Sequence, residues 1–197
     1  RSGSCPHIAL MGFRYLYLNI GSNSGDRRAL IGRAVAAVVM ALGPARMSRP
    51  FRSAPWGFSS SSEFLNIGLE IDISDTSFSA MDVCGACRAI LACLKKIEKD
   101  ISDMPHRNPD GSYRDREIDI DMIALDGCVV DSPDIIVPHP RMDIREFVLV
   151  PMAGLAPGWM HPVSGLTPVQ MLEKLQKRDL STSSDCRESS PGAMCIE

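Results

Sequence analysis

Apolar and polar residues alternate between positions 64 and 73. Leu65, Ile67, Leu69, Ile71 and Ile73 fall on one face, and Asn66 and Glu70 on the other. That period of two predicts a β-strand. Residues 15–20 alternate in the same way and carry aromatic and branched side chains, which predicts another strand. Further strands are expected over 46–53 and 117–125. Helical periods lie between them. Asp26 opens a helix to about residue 42, with Leu30, Ala34, Val38 and Ala41 on one face and Gly43-Pro44 ending it. Residues 79–100 read as a long amphipathic helix, 145–155 as a helix, and 167–177 as a short amphipathic helix capped by Thr167. Residues 21–25 form a turn, 54–63 a loop with four successive serines, and 101–112 a polar loop with Pro105, Pro109 and Gly111. Asp126-Gly127 is a tight turn of the kind that joins strands, leading into Cys128-Val129-Val130. From residue 179 the chain is serine-rich with little apolar content, the pattern of a disordered tail. Strands mixed with helices, together with a hairpin signal, argue for an α+β fold rather than a doubly wound sheet.

Composition adds a single compact domain. At 197 residues, 45% hydrophobic and 23% charged, the chain is an ordinary globular protein that can bury a sizeable core. A net charge of -3 gives no basis for a nucleic-acid-binding surface. No apolar run is long enough to span a bilayer, so no membrane partner is expected. The apolar piece Ile8-Ala9-Leu10-Met11 is too short for a signal peptide. Residues 1–13 therefore read as an extension, 14–178 as the domain and 179–197 as a polar tail. Seven cysteines raise metal and disulfide readings. Cys84 and Cys87 form a C-x-x-C with Cys93 nearby, but no second pair or spaced histidines complete a zinc site. Cys84, Cys87 and Leu91 repeat on one helix face, as core residues do. With no secretory signal, reduced thiols and a cytoplasmic location are expected.

The most informative stretch is Arg116-Glu117-Ile118-Asp119-Ile120-Asp121. Residues i and i+2 of a strand share a face, so Asp119 and Asp121 point one way while Ile118, Ile120 and Met122 point the other. Carboxylates roughly 6–7 Å apart along a strand suit a pair of magnesium ions roughly 3.5–4 Å apart. Magnesium takes oxygen ligands and keeps room for water and phosphate, which suggests nucleotide phosphate chemistry. Taken alone, the pattern is equally that of an edge strand with its acidic face in solvent. Neither G-x-x-x-x-G-K-[ST] nor G-x-G-x-x-G occurs, so the phosphate chemistry would not use those loops.

Several blocks occur in order: Gly21-Ser22-Asn23 after the first strand, Phe51-Arg52-Ser53-Ala54-Pro55-Trp56-Gly57, Phe64-Leu65-Asn66, the Asp-Ile-Asp strand, and Val137-Pro138-His139-Pro140-Arg141-Met142 followed by Arg145 and Phe147. With them, residues 14–178 resemble the 6-hydroxymethyl-7,8-dihydropterin pyrophosphokinase family of folate synthesis. The resemblance implies a ferredoxin-like α+β core with helices packed on an antiparallel sheet. It also implies transfer of pyrophosphate from ATP to the 6-hydroxymethyl oxygen of the dihydropterin, releasing AMP. Such transfer needs positioning and electrostatic stabilisation more than covalent chemistry.

The resemblance also implies roles. Asp119 and Asp121 match the ligands of two magnesium ions and, with Arg116, form the catalytic set. Arg116, His139 and Arg145 match nucleotide-contacting positions, and a guanidinium fork suits phosphate. Glu98 matches an acidic residue near the nucleotide, although a solvated helix glutamate reads equally well. Asn66 matches the pterin-binding asparagine, offering a donor and an acceptor on one side chain. Phe64 and Phe147 match the aromatics that sandwich the ring; ordinary core is the alternative for both. Ser53, Ala54 and Trp56 align with a loop that contacts the pterin. The chain departs from the family after the long helix, where Asp103 stands near the usual first arginine and the loop is longer. Arg107 or Arg114 is expected to replace that charge, and Tyr113 stands where relatives often have tryptophan. The expected partners are small molecules, ATP and the pterin, bound by a monomer whose segments 54–62 and 101–115 move without ligand. A catalytically weak relative that binds pterin or nucleotide, and a non-enzymatic interaction domain, are the competing readings.

Overall fold

Along the chain the elements are β1 (Tyr15–Ser22), α1 (Arg27–Leu42), β2 (Ala45–Met47), β3 (Phe51–Ser53), β4 (Phe64–Asp72), α2 (Val83–Ile101), β5 (Asp119–Leu125), β6 (Val130–Ser132), β7 (Ile135–Val137), α3 (Glu146–Leu155) and α4 (Pro168–Asp185). The computed structural model describes residues 13–105 and 107–185, with the backbone alone for 179–185. The main sheet runs β2-β4-β1-β5, with β3 also on β4, and every pairing is antiparallel. Helices on both sides make this the expected α+β fold.

One face of the sheet is apolar because alternation aims every second residue at α1 and α2. Leu16, Leu18 and Ile20 of β1, Ile67, Leu69 and Ile71 of β4, and Ile120 and Met122 of β5 meet Ala34, Val38 and Leu42 of α1 and Ile90 and Leu94 of α2. Each such fully buried Leu or Ile contributes about 1.5–3 kcal/mol. Asp26 caps α1 through Ala29 N–H, and Asp82 caps α2 through Gly85 N–H. Cys87 packs into this core, with Cys84 and Cys93 against it, and all are free thiols. Burial pushes the Cys87 thiol up to about 12, so it stays protonated.

On the other face Asn66 and Glu70 are buried, and α3 lies across β4. Gly68 makes that approach possible, since a Cβ there would stand 2.9 Å from the Pro151 side chain. Val148, Leu149 and Met152 of α3 pack with Tyr17 and Met142, and Met171 of α4 closes the layer.

Several boundaries differ from the periodic reading. The strand expected over 46–53 is interrupted at Ser48–Pro50. Ser48 Oγ accepts from Gly68 N–H at 2.9 Å, so a side chain substitutes in the ladder, and Pro50 has no N–H to offer. The α1 core face is Ile31, Ala34, Val38 and Leu42; Leu30 is half-buried and Ala41 exposed. Alanine and valine occur all round this helix, so its apolar stripe is poorly marked. A separate 3-10 turn (Ser77–Ala80) precedes α2, so that helix starts later than residue 79. β5 begins at Asp119, not Glu117. Asp126-Gly127 joins no paired strands: β6 pairs with β7 in its own sheet. The Asp126 carboxylate instead accepts from the N–H groups of Arg14 and Tyr15 at the start of β1. α4 runs to Asp185, past the expected end at residue 177. Phe13 is buried, while residues 1–12 and 186–197 of the expected extension and tail lie outside the described residues.

Candidate active site

Three strands build the floor of the site. On β1, Gly21 pairs with Asn66 of β4 and Asp119 of β5, and Asn19 pairs with Gly68 and Asp121. Strand alternation therefore gathers Asn66, Asp119 and Asp121 on the face away from α1 and α2. Gly21 leaves the room, because a Cβ there would stand 2.8 Å from Asn66 Oδ1. Asn66 is 2% exposed and its Nδ2 donates to Ser53 Oγ at 3.1 Å.

Each aspartate is paired with an arginine. Asp119 bonds to Arg116, and Asp121 lies 3.3 Å from Arg145 Nη1. His139 Nε2 stands 3.3 Å from the same Arg145 nitrogen, and its backbone N–H, directly after the cis Val137–Pro138 unit, donates to Ile123 O at 2.7 Å. Burial and the neighbouring Asp121 charge raise the Asp119 carboxyl, against the pull of Arg116. Burial lowers His139, which leaves its ring neutral near pH 7. Arg116 Nε and Arg145 Nε are buried with no hydrogen-bond partner. Buried donors of that kind are costly unless an acceptor arrives, and the acceptor that matches a guanidinium is an oxyanion. Asp119 and Asp121 are the residues here that could hold a cation. Among the described residues no cluster of three or more His, Cys, Asp or Glu side chains forms a metal cage. Two carboxylates fit a hard cation that completes its shell with phosphate oxygens and water.

Aromatic residues form the walls. Phe58 meets Phe64 edge-on at 6.4 Å and lies tilted against Tyr113 at 6.3 Å. Opposite, the Arg145 guanidinium lies 4.9 Å from the Trp56 ring and 5.5 Å from the Phe147 ring. Arg141 lies over Trp56 as well, at 5.2 Å.

Ser53, Ala54, Trp56, Phe64, Asn66, Arg116, Asp119, Asp121, His139, Arg145 and Phe147 thus line one cavity. Glu98, Arg107 and Arg114 do not line it. Glu98 turns to the edge of the sheet, where its Oε1 accepts from Ile120 N–H at 2.6 Å. Burial pushes its carboxyl up to about 7. Arg107 stacks 4.2 Å over Tyr113 and donates to Gly111 O, an exposed position within its own loop. Asn19, Gly21, Phe58, Tyr113 and Arg141 also line the cavity and were not expected there. Asn19 had a signal, a polar residue inside an apolar strand, the same signal that marked Asn66. Phe58 had none, since a phenylalanine in a serine loop is silent about what it faces.

A family model described as 7,8-dihydro-6-hydroxymethylpterin-pyrophosphokinase matches residues 17–157. A 2-amino-4-hydroxy-6-hydroxymethyldihydropteridine pyrophosphokinase from Porphyromonas gingivalis is 34% identical over 151 residues, spanning 75% of this chain and 93% of that protein. A protein of the same name from Methylorubrum extorquens is 31% identical over 161 residues, spanning 81% of this chain and 92% of its own length. The crystal structure of wild-type Plasmodium falciparum HPPK-DHPS shares the fold, with a TM-score of 0.61, 12% identity, and coverage of 86% of this chain and 46% of that one. The chain thus spans less than half of that solved protein.

Proposed function

We propose that this chain, which belongs to the 7,8-dihydro-6-hydroxymethylpterin-pyrophosphokinase family, transfers the terminal pyrophosphoryl group of ATP to the hydroxymethyl oxygen of 6-hydroxymethyl-7,8-dihydropterin. The alcohol oxygen attacks the β-phosphorus in line, the bond from that phosphorus to the α-phosphate oxygen breaks, the hydroxyl proton is lost, and AMP leaves. The observation that carries this reading is one cavity holding both a paired-carboxylate, paired-arginine cluster and an amide-aromatic slot. Magnesium, when bound, supplies charge neutralisation on the phosphate oxygens. Asp119 and Asp121 would hold it. Their arginine partners would then turn to phosphate, where the free Nε donors of Arg116 and Arg145 find acceptors. Asn66 would read the pterin edge, with Ser53 fixing the amide. Phe64 and Phe147 would flank the ring, worth about 0.5–1.5 kcal/mol beyond area burial. Ala54 and Trp56 would cover it.

The test is AMP release from ATP with magnesium and the hydroxymethyl dihydropterin. AMP that forms only with pterin and magnesium together supports the reading. Pterin binding without AMP would make the chain a binding-only relative, and binding of neither substrate would remove the assignment.

A further inference from the structure

The carboxamide of Asn19 takes no part in the reaction as written above. Asn19 stands in the middle of β1, opposite Asp121 on one side and Gly68 on the other. It is 4% exposed, and its Oδ1 has no hydrogen-bond partner among the described residues. Toward α3 it shares a small recess with Tyr17, Ile123, Val148, Met152 and Leu155; the Tyr17 hydroxyl is engaged with Glu70, and the other four side chains cannot donate a hydrogen bond. Toward β5 it lines the cavity of Asp119, Asp121 and Asn66. An apolar side chain here would continue the packing of Tyr17 and leave no orphan atom. A buried acceptor without a donor lowers stability, so its presence points to a donor that comes with a ligand.

The neighbouring residue narrows the donor. Directly opposed residues of an antiparallel pair hold their Cβ atoms about 4.5–5.5 Å apart, so the Asn19 carboxamide and the Asp121 carboxylate reach the same small volume. An amide oxygen and a carboxylate are both acceptors. A phosphate oxygen would be repelled there, whereas an O–H group is attracted by both. We propose that Asn19 Oδ1 accepts a hydrogen bond from a hydroxyl bound beside Asp121 and so helps to select and aim the attacking alcohol. This rests on the function proposed above, in which two hydroxyl sources reach Asp121: the substrate alcohol and water carried by a cation.

The experiment compares wild type, Asn19→Ala and Asn19→Leu by calorimetry with 6-hydroxymethylpterin and 6-methylpterin, with magnesium and a non-hydrolysable ATP analogue present. Binding of Mn2+ alone is followed by electron paramagnetic resonance. Losing one neutral hydrogen bond weakens binding about two- to tenfold. If the donor is the alcohol, the preference for the hydroxymethyl ligand shrinks by that factor while 6-methylpterin binds unchanged. If it is metal-bound water, Mn2+ affinity falls by a similar factor and the ligand preference stays. Asn19→Leu should melt no lower than wild type, because it fills the same space and removes the orphan acceptor. Unchanged ligand preference together with unchanged Mn2+ affinity overturns the inference. A wild type that binds neither pterin overturns the proposed reaction; Asn19 then falls with it only if Mn2+ binding is also indifferent to substitution.

Discussion

Asn23 grips Arg116 by both of its backbone groups: its Oδ1 accepts from Arg116 N–H at 2.8 Å, and its own N–H donates to Arg116 O at 3.0 Å. Its Nδ2 donates to Asp115 Oδ1 at 2.6 Å and to Ser62 O at 3.3 Å. The Gly21-Ser22-Asn23 turn is therefore a clamp that joins β1 to the arginine segment and to the serine loop. Asn23→Ala should leave the Arg116 N–H unpaired, costing about 1–3 kcal/mol. The midpoint of urea unfolding should fall, and KM for ATP should rise more than KM for the pterin. Unchanged ATP affinity would show that Arg116 does not depend on this clamp for its aim.

Asp121→Asn keeps the shape of the side chain and removes its charge, so Arg145 loses its ion-pair partner. On the proposed reading kcat should drop by on the order of a hundredfold or more. Mn2+ binding should weaken in the same variant, and Asp119→Asn should behave alike. A variant with normal Mn2+ affinity would remove that residue from the cation site.

Glu98 makes stability depend on pH in an unusual direction. Burial raises its carboxyl from an ordinary value of 4.5 to about 7 in the folded protein. Between those values the folded state holds more protons than the unfolded state, so stability falls as pH rises, then levels off. Glu98→Gln keeps an acceptor for Ile120 N–H and loses the titration. Measured with chelator present, its melting temperature should exceed that of wild type by an amount that grows from pH 4.5 to pH 7 and is constant above. A difference independent of pH would mean that the Glu98 carboxyl titrates alike in the folded and unfolded protein.

What the sequence disclosed followed from how local each signal was. Asp119 and Asp121 were legible because a period of two fixes their face from two residues, and Ile118, Ile120 and Met122 do pack in the core opposite. The packing of α3 on the other face was not legible, because α3 lies more than seventy positions beyond β4, and the two approach each other at Gly68. The Asp126-Gly127 turn carried hairpin chemistry, yet the Asp126 carboxylate binds the N–H groups of Arg14 and Tyr15 at the start of β1. Arg107 illustrates the same limit. It was expected to replace a family arginine, and its stacking on Tyr113 is a contact that no local pattern announces.

Gly21→Ala tests how tightly the floor is built. The new methyl would stand 2.8 Å from Asn66 Oδ1 and 3.4 Å from Phe64. Asn66 is anchored to Ser53 and cannot yield without losing that bond. Overpacking of this kind costs about 1–3 kcal/mol. Pterin affinity should fall at least tenfold while binding of an ATP analogue stays within about twofold, as calorimetry would read. Equal losses for both ligands would indicate general disruption rather than a displaced Asn66.

The two loops above the cavity should be ordered by what fills it. Trp56 and Phe58 come from one loop and Tyr113 from the other; they meet through Phe58–Tyr113, with Arg116 stacked on Tyr113 and Arg145 on Trp56. Trp56 rests on the Arg145 guanidinium, which the proposed reaction requires for phosphate, so loop and substrate meet at one side chain. The segment 107–113 keeps its own short turn, with Gly111 N–H bonded to Asn108 O at 2.9 Å, whereas Ser62 N–H reaches only the side chain of Ser60. Amide exchange in 54–62 should therefore be fast in the free protein, with 101–115 intermediate. An ATP analogue and a pterin together should slow both by about tenfold or more, since closing lids exclude water and complete the site. Trp56→Ala should abolish that protection in 54–62 and leave the exchange of β1 and β4 unchanged. Identical exchange with and without the two ligands would sink the idea that these segments close over substrate.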